Sequence, residues 1–207
     1  MTSPTNSDAR PLPKPALIKR SMQQRTKLRI SKDAAVATGA AVGYILSEVI
    51  EGAGNVAAEE GKKKIAPRHI GIAIRKDEEL AALGRSWLIR PGGAAGHLKP
   101  LDESGQAVPP TTPASNPRKR SAVTNAHQYQ GFVKRLAKAR QLPVAASSVE
   151  ALNNIASDLV ERIAAAAGEL AAKTDRQTIA ADDVQGAVSG LLTGELRQHV
   201  LAEIRRP

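Results

Sequence analysis

The 207-residue chain contains no cysteine. That excludes a disulfide framework, cysteine-type zinc sites and thiol catalysis, and it fits a reducing compartment. Aromatic residues make up 2% of the chain: Phe132, Tyr44, Tyr129 and Trp87. Proteins that hold single-stranded nucleic acid stack bases on aromatic platforms, so the composition argues against that class. No window approaches 18 consecutive apolar residues, the run a membrane-spanning helix needs. The N-terminal stretch Met1-Thr2-Ser3-Pro4-Thr5-Asn6-Ser7-Asp8 lacks the apolar centre of a secretory signal. Acidic charge is also short: 20 Asp+Glu stand against 30 Lys+Arg, a net charge of +10. That balance predicts a polyanionic partner, nucleic acid first and an anionic membrane second.

The length allows one or two domains. Hydrophobic residues reach 42%, but much of that is alanine, so the expected core is thin and built from closely packed helices. Residues 1–14 read as a disordered basic tail, 15–100 as a first structured block and 127–207 as a second. Between the blocks, residues 101–126 hold four of the 13 prolines and few large apolar residues, the composition of a semi-extended linker.

Each block contains one long apolar stripe at helical spacing. In the first it runs through Val42, Ile45, Leu46, Val49, Ile50, Ala53, Val56 and Ala57. In the second it runs through Leu152, Ile155, Ala156, Leu159, Val160, Ile163, Ala167 and Leu170. Each predicts a helix of about 27 residues, near 40 Å long. Ser31 or Asp33 can cap the first, and Ser147 or Ser148 the second. After the first stripe comes Ile65-Ala66-Pro67-Arg68-His69-Ile70-Gly71-Ile72-Ala73-Ile74. After the second comes Ile179-Ala180-Ala181-Asp182-Asp183-Val184-Gln185-Gly186-Ala187-Val188. The two superpose without gaps at a period of about 114 residues. Each follows a basic loop, and shorter basic amphipathic segments at about 15–25 and 127–139 precede the long helices. The chain is an internal duplication of short, long and short helices. No run shows the period-two alternation of a strand, so the expected class is all-α.

Ala53-Gly54-Asn55, Ile65-Ala66-Pro67-Arg68-His69-Ile70 and Ala73-Ile74-Arg75-Lys76-Asp77-Glu78-Glu79-Leu80 resemble core histone 2A. Glu161-Arg162-Ile163-Ala164, Arg176-Gln177-Thr178-Ile179 and Leu191-Leu192-Thr193-Gly194-Glu195-Leu196 resemble core histone 2B. The resemblance covers about 170 of the 207 residues. Two such halves on one polypeptide resemble the histone doublets of giant DNA viruses, although the 2A-before-2B order differs from the arrangement expected of them. It implies two histone folds in one chain, paired in an intramolecular handshake. A lone protomer leaves its apolar stripe exposed, and tethering makes pairing intramolecular at millimolar-order effective concentration. The linker spans on the order of 25–30 Å as a random coil, enough to reach across such a pair.

Charge is segregated to match. Residues 1–32 hold eight Lys/Arg and one acid, Asp8; residues 61–76 hold six bases, and residues 116–140 seven, without an acid. The resemblance implies that loop bases meet successive phosphates of bent duplex DNA. It places a minor-groove arginine at Arg29 and a second-loop arginine–threonine pair at Arg176 and Thr178. Lys64 stands where the family usually has arginine, and lysine lacks the planar fork. Lys19, Arg20, Arg25, Lys62, Lys63 and Lys134 are the expected phosphate contacts. Arg118, Lys119 and Arg120 resemble the basic stretch that passes between DNA gyres. A solvated surface charge is the plain alternative for any one of these.

Glu48, Glu51, Asp77, Glu78, Glu79, Glu195 and Glu203 match the family's acidic patch, which nucleosome-binding proteins grip with arginine. Gly43 stands where a further glutamate belongs. Scattered solvent-facing carboxylates are the alternative reading. Residues 84–100 resemble the segment by which histone 2A docks on 3/4-type histones. Within it, Trp87 is either an interface anchor or a cover for the third helix of its own half.

Catalytic readings find no support. His69, His97, His127 and His199 show no metal-ligand spacing, so no metal or other cofactor is expected. Gly54 and Gly61-Lys62 have the wrong spacing for a phosphate loop. Asp182-Asp183 fits a helix start better than a paired-carboxylate site. The expectation is therefore a non-enzymatic chromatin protein that binds duplex DNA and works with 3/4-type histones. It would reside in chromatin, in a host nucleus or in a viral factory and virion. The alternatives are a protein that coats DNA alone and a histone-fold module whose main partner is protein.

Overall fold

A computed structural model of the chain describes residues 11–87, 89 and 128–205. The first half contains helix α1 (Pro15–Thr26), strand β1 (Arg29–Ile30), helices α2 (Lys32–Glu59), α3 (Pro67–Lys76) and α4 (Glu78–Leu83). The second contains α5 (Gln130–Ala139), α6 (Ala146–Lys173), strand β2 (Thr178–Ile179), α7 (Ala181–Leu191) and α8 (Gly194–Arg205). The long helices have 28 residues each, one more than their stripes predict.

Local chemistry sets the boundaries. Pro15 opens α1, and Lys27 closes it in the left-handed region at φ 61°. Ser31 caps α2, its Oγ accepting from the Ala34 N–H at 3.0 Å. Each short helix after a long one starts the same way, from the third helical residue. His69 Nδ1 accepts from the Ala66 N–H at 3.0 Å, and Asp183 Oδ2 accepts from the Ala180 N–H at 2.8 Å. The two pairs are related by the sequence period, so the duplication extends to the caps.

The start of α6 departs from expectation. Its N-cap is Ala145, which offers no side-chain acceptor, and neither Ser147 nor Ser148 caps it. The Ser148 hydroxyl is buried and donates instead to the Ile65 carbonyl of the other half at 2.8 Å. Two short pairings also escape a period-two search, because two residues cannot show a period. β1 and β2 pair in parallel, with Arg29 opposite Thr178 and Ile30 opposite Ile179. Ile65 and Val144 form an isolated parallel bridge.

These pairings determine the architecture. β1 leads into α2 and β2 follows α6, so the start of α2 lies beside the end of α6. Ile65 follows α2 and Val144 precedes α6, so the opposite ends also meet. The long helices therefore cross antiparallel, with a pair of loops at each end, about 42 Å of helix apart. This is the intramolecular handshake of two short–long–short units.

One core runs through both halves. Ile45, Leu46, Val49 and Ile50 of α2 join Leu152, Ile155, Leu159 and Ile163 of α6, all buried. α2 has the length and composition to cross a membrane, but 78% of that stretch is buried against the other helices. The alanines let backbones close in, and so does Gly54. A Cβ there would stand 2.9 Å from Leu142 Cδ1 of the opposite half.

Candidate nucleic-acid interface

The β1–β2 pairing builds the first candidate contact. The Arg29 N–H donates to the Gln177 carbonyl at 3.1 Å, and the Ser31 N–H to the Ile179 carbonyl at 3.0 Å. Side chains alternate along a strand. Ile30 and Ile179 therefore enter the core while Arg29 and Thr178 stand outside, adjacent and exposed. Arg176 is tethered beside them. Its Nη2 meets Asp183 Oδ1 at 2.5 Å, its Nε donates to Thr174 Oγ1 at 2.9 Å, and 43% of its side chain is exposed. Asp183 thus holds the arginine as well as capping α7, a second task beyond the helix start expected of it. Lys27, Lys32 and Lys173 are exposed at the ends of α1, α2 and α6 that border this loop pair. They were missed in the sequence because no motif marks them; only the pairing of the loops brings them together.

The second loop pair is joined by the Ile65 N–H to the Pro143 carbonyl at 2.8 Å and the Ala145 N–H to the Ile65 carbonyl at 3.0 Å. Lys62, Lys63 and Lys64 are exposed on the first half's side of it. Lys134 is exposed on α5. On α1, Ile18, Ser21 and Met22 face the protein while Lys19, Arg20 and Arg25 face solvent. Arg118, Lys119 and Arg120 lie outside the described residues, as do His97 and His127.

The acids divide into two groups. The Asp77–Glu79 turn abuts the start of α8. Glu79 accepts from the Glu195 N–H at 2.7 Å and the Leu196 N–H at 2.8 Å. Asp77 Oδ1 accepts from the Leu80 N–H at 2.8 Å and caps α4. Glu78 and Glu195 remain exposed nearby. α8 packs on α2, with the Tyr44 and His199 rings 6.1 Å apart. Glu48 on α2 and Glu203 on α8 are half-buried in the two helices so joined. Glu51 differs from the rest. It forms an ion pair with Arg140 of the second half, so its charge is compensated internally. Glu79 and Glu51 are thus structural groups first.

Other side chains close the seam between halves. Trp87 Nε1 donates to Asp158 Oδ2 on α6 at 2.7 Å, and Arg162 Nη1 donates to the Leu83 carbonyl at 2.7 Å. Trp87 therefore reaches the opposite half instead of only covering its own third helix. The remainder of the docking-like segment, residues 88 and 90–100, lies outside the described residues. Tyr129 is buried, and its OH lies 3.0 Å from Ser21 Oγ across the seam. Burial pushes its phenol above the usual value of 10.0; the hydrogen bond to Ser21 lowers it, and the charge of Glu161 adds to the rise. His69 is buried, with Nε2 3.1 Å from Glu60 Oε2, and its Nδ1 caps α3, so it serves the fold. Among the described residues no group of His, Asp and Glu could hold a metal ion.

Residues 3–76 and 115–190 each match the domain shared by core histones 2A, 2B, 3 and 4. The chain belongs to the core histone family. It carries the histone fold twice. Histone 2A of Encephalitozoon cuniculi is 51% identical over 85 residues, 41% of this chain and 66% of that protein. The Z-type histone 2A of Gibberella zeae is 43% identical over 83 residues, 39% of this chain and 57% of that protein. Histone macroH2A1.1 of Capsaspora owczarzaki is 37% identical over 112 residues, 54% of this chain but 28% of that protein. The chain thus spans under two thirds of the length of these curated relatives. Among solved structures, the histone from Methanopyrus kandleri matches with a TM-score of 0.53 and 19% identity. That match covers 89% of this chain and 98% of the other, a likeness of fold alone.

Proposed function

We propose that this core histone is a 2A–2B doublet of the giant-virus type that binds and bends duplex DNA without sequence choice. In this reading residues 15–100 are the 2A-like half and residues 127–207 the 2B-like half, joined by the 101–126 linker. The doublet assembles with 3/4-type histones, or a doublet of them, into nucleosome-like particles that compact a genome. Its place is chromatin, in a nucleus or in a viral factory and virion, and its role is structural, not enzymatic. Nucleosome-binding proteins grip the acids around Glu48, Glu78, Glu195 and Glu203 with arginine.

The observation that carries the reading is the parallel register of Arg29 with Thr178. It sets a loop arginine of one half beside the Arg176–Thr178 loop of the other. Lys62, Lys63 and Lys64 stand at the opposite loop pair, so basic groups occur at both ends of the handshake. Spaced bases of this kind suit successive phosphates of a curved duplex, and the minor groove suits an outward arginine.

Charge reversal tests this directly. Arg29→Glu combined with Arg176→Glu should weaken binding to random-sequence duplex DNA by at least tenfold at moderate salt. For the parent, log affinity should fall against log salt with a slope of about −0.9 per neutralised phosphate, and the variant's slope should be shallower. Unchanged affinity in the variant would assign the surface to protein partners. A slope near zero in the parent would sink the electrostatic mechanism.

A second reading, a protein that coats DNA alone, draws on Trp87. The segment that would dock on 3/4-type histones begins with a side chain bonded to this chain's own Asp158.

A further inference from the structure

Gly39, Gly43, Ser47 and Glu51 recur every four residues along α2 and form one stripe on its surface. At Glu51 the stripe is covered by Arg140, next to the end of α5. At its other end the cover comes from residues 11–13, so the disordered tail expected over residues 1–14 gives way to a seated segment ahead of α1. Pro13 Cγ lies 3.4 Å from where a Gly39 Cβ would stand, and Leu12 Cδ2 lies 3.2 Å from where a Gly43 Cβ would stand. Phe132 Cζ of α5 is 3.9 Å from that same Gly43 position. Arg135 of α5 reaches over the segment, its Nη2 donating to the Leu12 carbonyl at 3.4 Å. A Cβ at Gly43 would push Leu12 by a few tenths of an ångström, and a larger side chain would take the leucine's place, so the two residues form a fitted pair.

We infer that Pro11-Leu12-Pro13 is a strap that holds α5 of the second half onto α2 of the first. The slot for it is made by Gly39, Gly43 and Phe132. The chemistry suits the occupant. Proline fixes φ, so Pro11 and Pro13 hold the strap extended with little entropy left to lose on seating. Neither proline has an N–H to bury, and the Leu12 carbonyl is met by Arg135. Leu12 itself stays 39% exposed, as one side of a strap lying across a groove must. The strap also explains Gly43, at which the family resemblance led us to expect a glutamate: a carboxylate there would occupy the leucine's place. Because α1 starts at Pro15, one residue after the strap, seating it ties the basic helix α1 to the basic helix α5 across the seam. The strap holds whether or not the DNA-binding reading does.

The test uses the full chain and two substitutions that unseat the strap from opposite sides. Leu12→Asp removes the apolar occupant. Gly43→Val fills the slot. Amide exchange at Val133 and Leu136 of α5 is measured by NMR, with the single tryptophan, Trp87, reporting that the handshake remains closed. The parent should show a nuclear Overhauser contact between the Leu12 methyls and the Phe132 ring. In Leu12→Asp, exchange at both α5 amides should rise at least fivefold with Trp87 emission unchanged, and Gly43→Val should match it. If Gly43→Val does not fold, Leu12→Asp at its partly exposed position decides alone. Exchange within twofold of the parent in Leu12→Asp would overturn the inference, even if the methyl–ring contact is present. A parent without that contact would overturn it as well.

Discussion

Gly194 shows how much a single residue can hold in place. It sits at φ +60°, a region that L side chains enter at a cost, and a Cβ there would stand 1.5 Å from Glu79 Oε1. The glycine is required twice, once for the backbone and once for the carboxylate that caps α8. Gly194→Ala should cost about 2–3 kcal/mol, from left-handed strain plus the lost cap. Chemical denaturation measures it; a loss under about 0.5 kcal/mol would show that the Glu79 cap is dispensable. Tyr129 works by burial. Its folded pKa is raised above the unfolded value near 10.0, so the fold favours the neutral phenol. The stability this gives is complete below about pH 10 and is lost as pH rises through the folded pKa. Tyr129→Phe should cost about 1 kcal/mol at neutral pH through the Ser21 bond, and should flatten the alkaline loss of stability. A parallel alkaline limb in both proteins would contradict this. None of these residue roles could be read in the sequence. Glu79 and Gly194 are far apart along the chain, and Tyr129 meets Ser21 only across the seam.

Helices were more legible, because their causes are local. The two apolar stripes reported both long helices, since a stripe that must be buried in one piece carries its period over many residues. Ser31 was legible as the cap of α2 because an N-cap bond spans three residues. The corresponding reading of Ser147 or Ser148 failed for a tertiary reason: the Ser148 hydroxyl is consumed by the Ile65 carbonyl from the opposite half. α4 was not foreseen, being a six-residue helix with no room for a period. The resulting asymmetry between the long helices is testable. Ser31→Ala should destabilise by about 1 kcal/mol, whereas Ala145→Ser should stabilise by about 0.5–1 kcal/mol, since Ala145 already has N-cap geometry and lacks only the acceptor. Thermal melts of the two variants check the signs, and destabilisation in both would show that Ala145 is held by something other than its helix.

For the whole molecule, the duplication matters more than either half. A single histone-fold unit leaves its long stripe uncovered, and two units in one chain cover each other without waiting for a partner. The seam that results is secured along its length by Ser148 with Ile65, Trp87 with Asp158, Tyr129 with Ser21, and Glu79 with the start of α8. It also assembles the candidate interface, since each loop pair takes one loop from each half. Lys27, Lys32 and Lys173 apart, the basic residues of the interface were legible one by one in the sequence, and so were the acids. Which of them stand together was legible only through the family resemblance. That resemblance gave no sign that Glu51 is neutralised by Arg140 or that Arg176 is tethered by Asp183, because both partners lie in the fold instead of the motif.

The most direct test of the central claim is nuclease digestion of duplex DNA reconstituted with this protein, with and without 3/4-type histones. The account predicts a discrete protected fragment, about 100 base pairs or longer, that forms only in the mixture. A ladder or smear given by this protein alone and unchanged by 3/4-type histones would contradict the nucleosome-like assembly and leave the self-sufficient coating protein in its place.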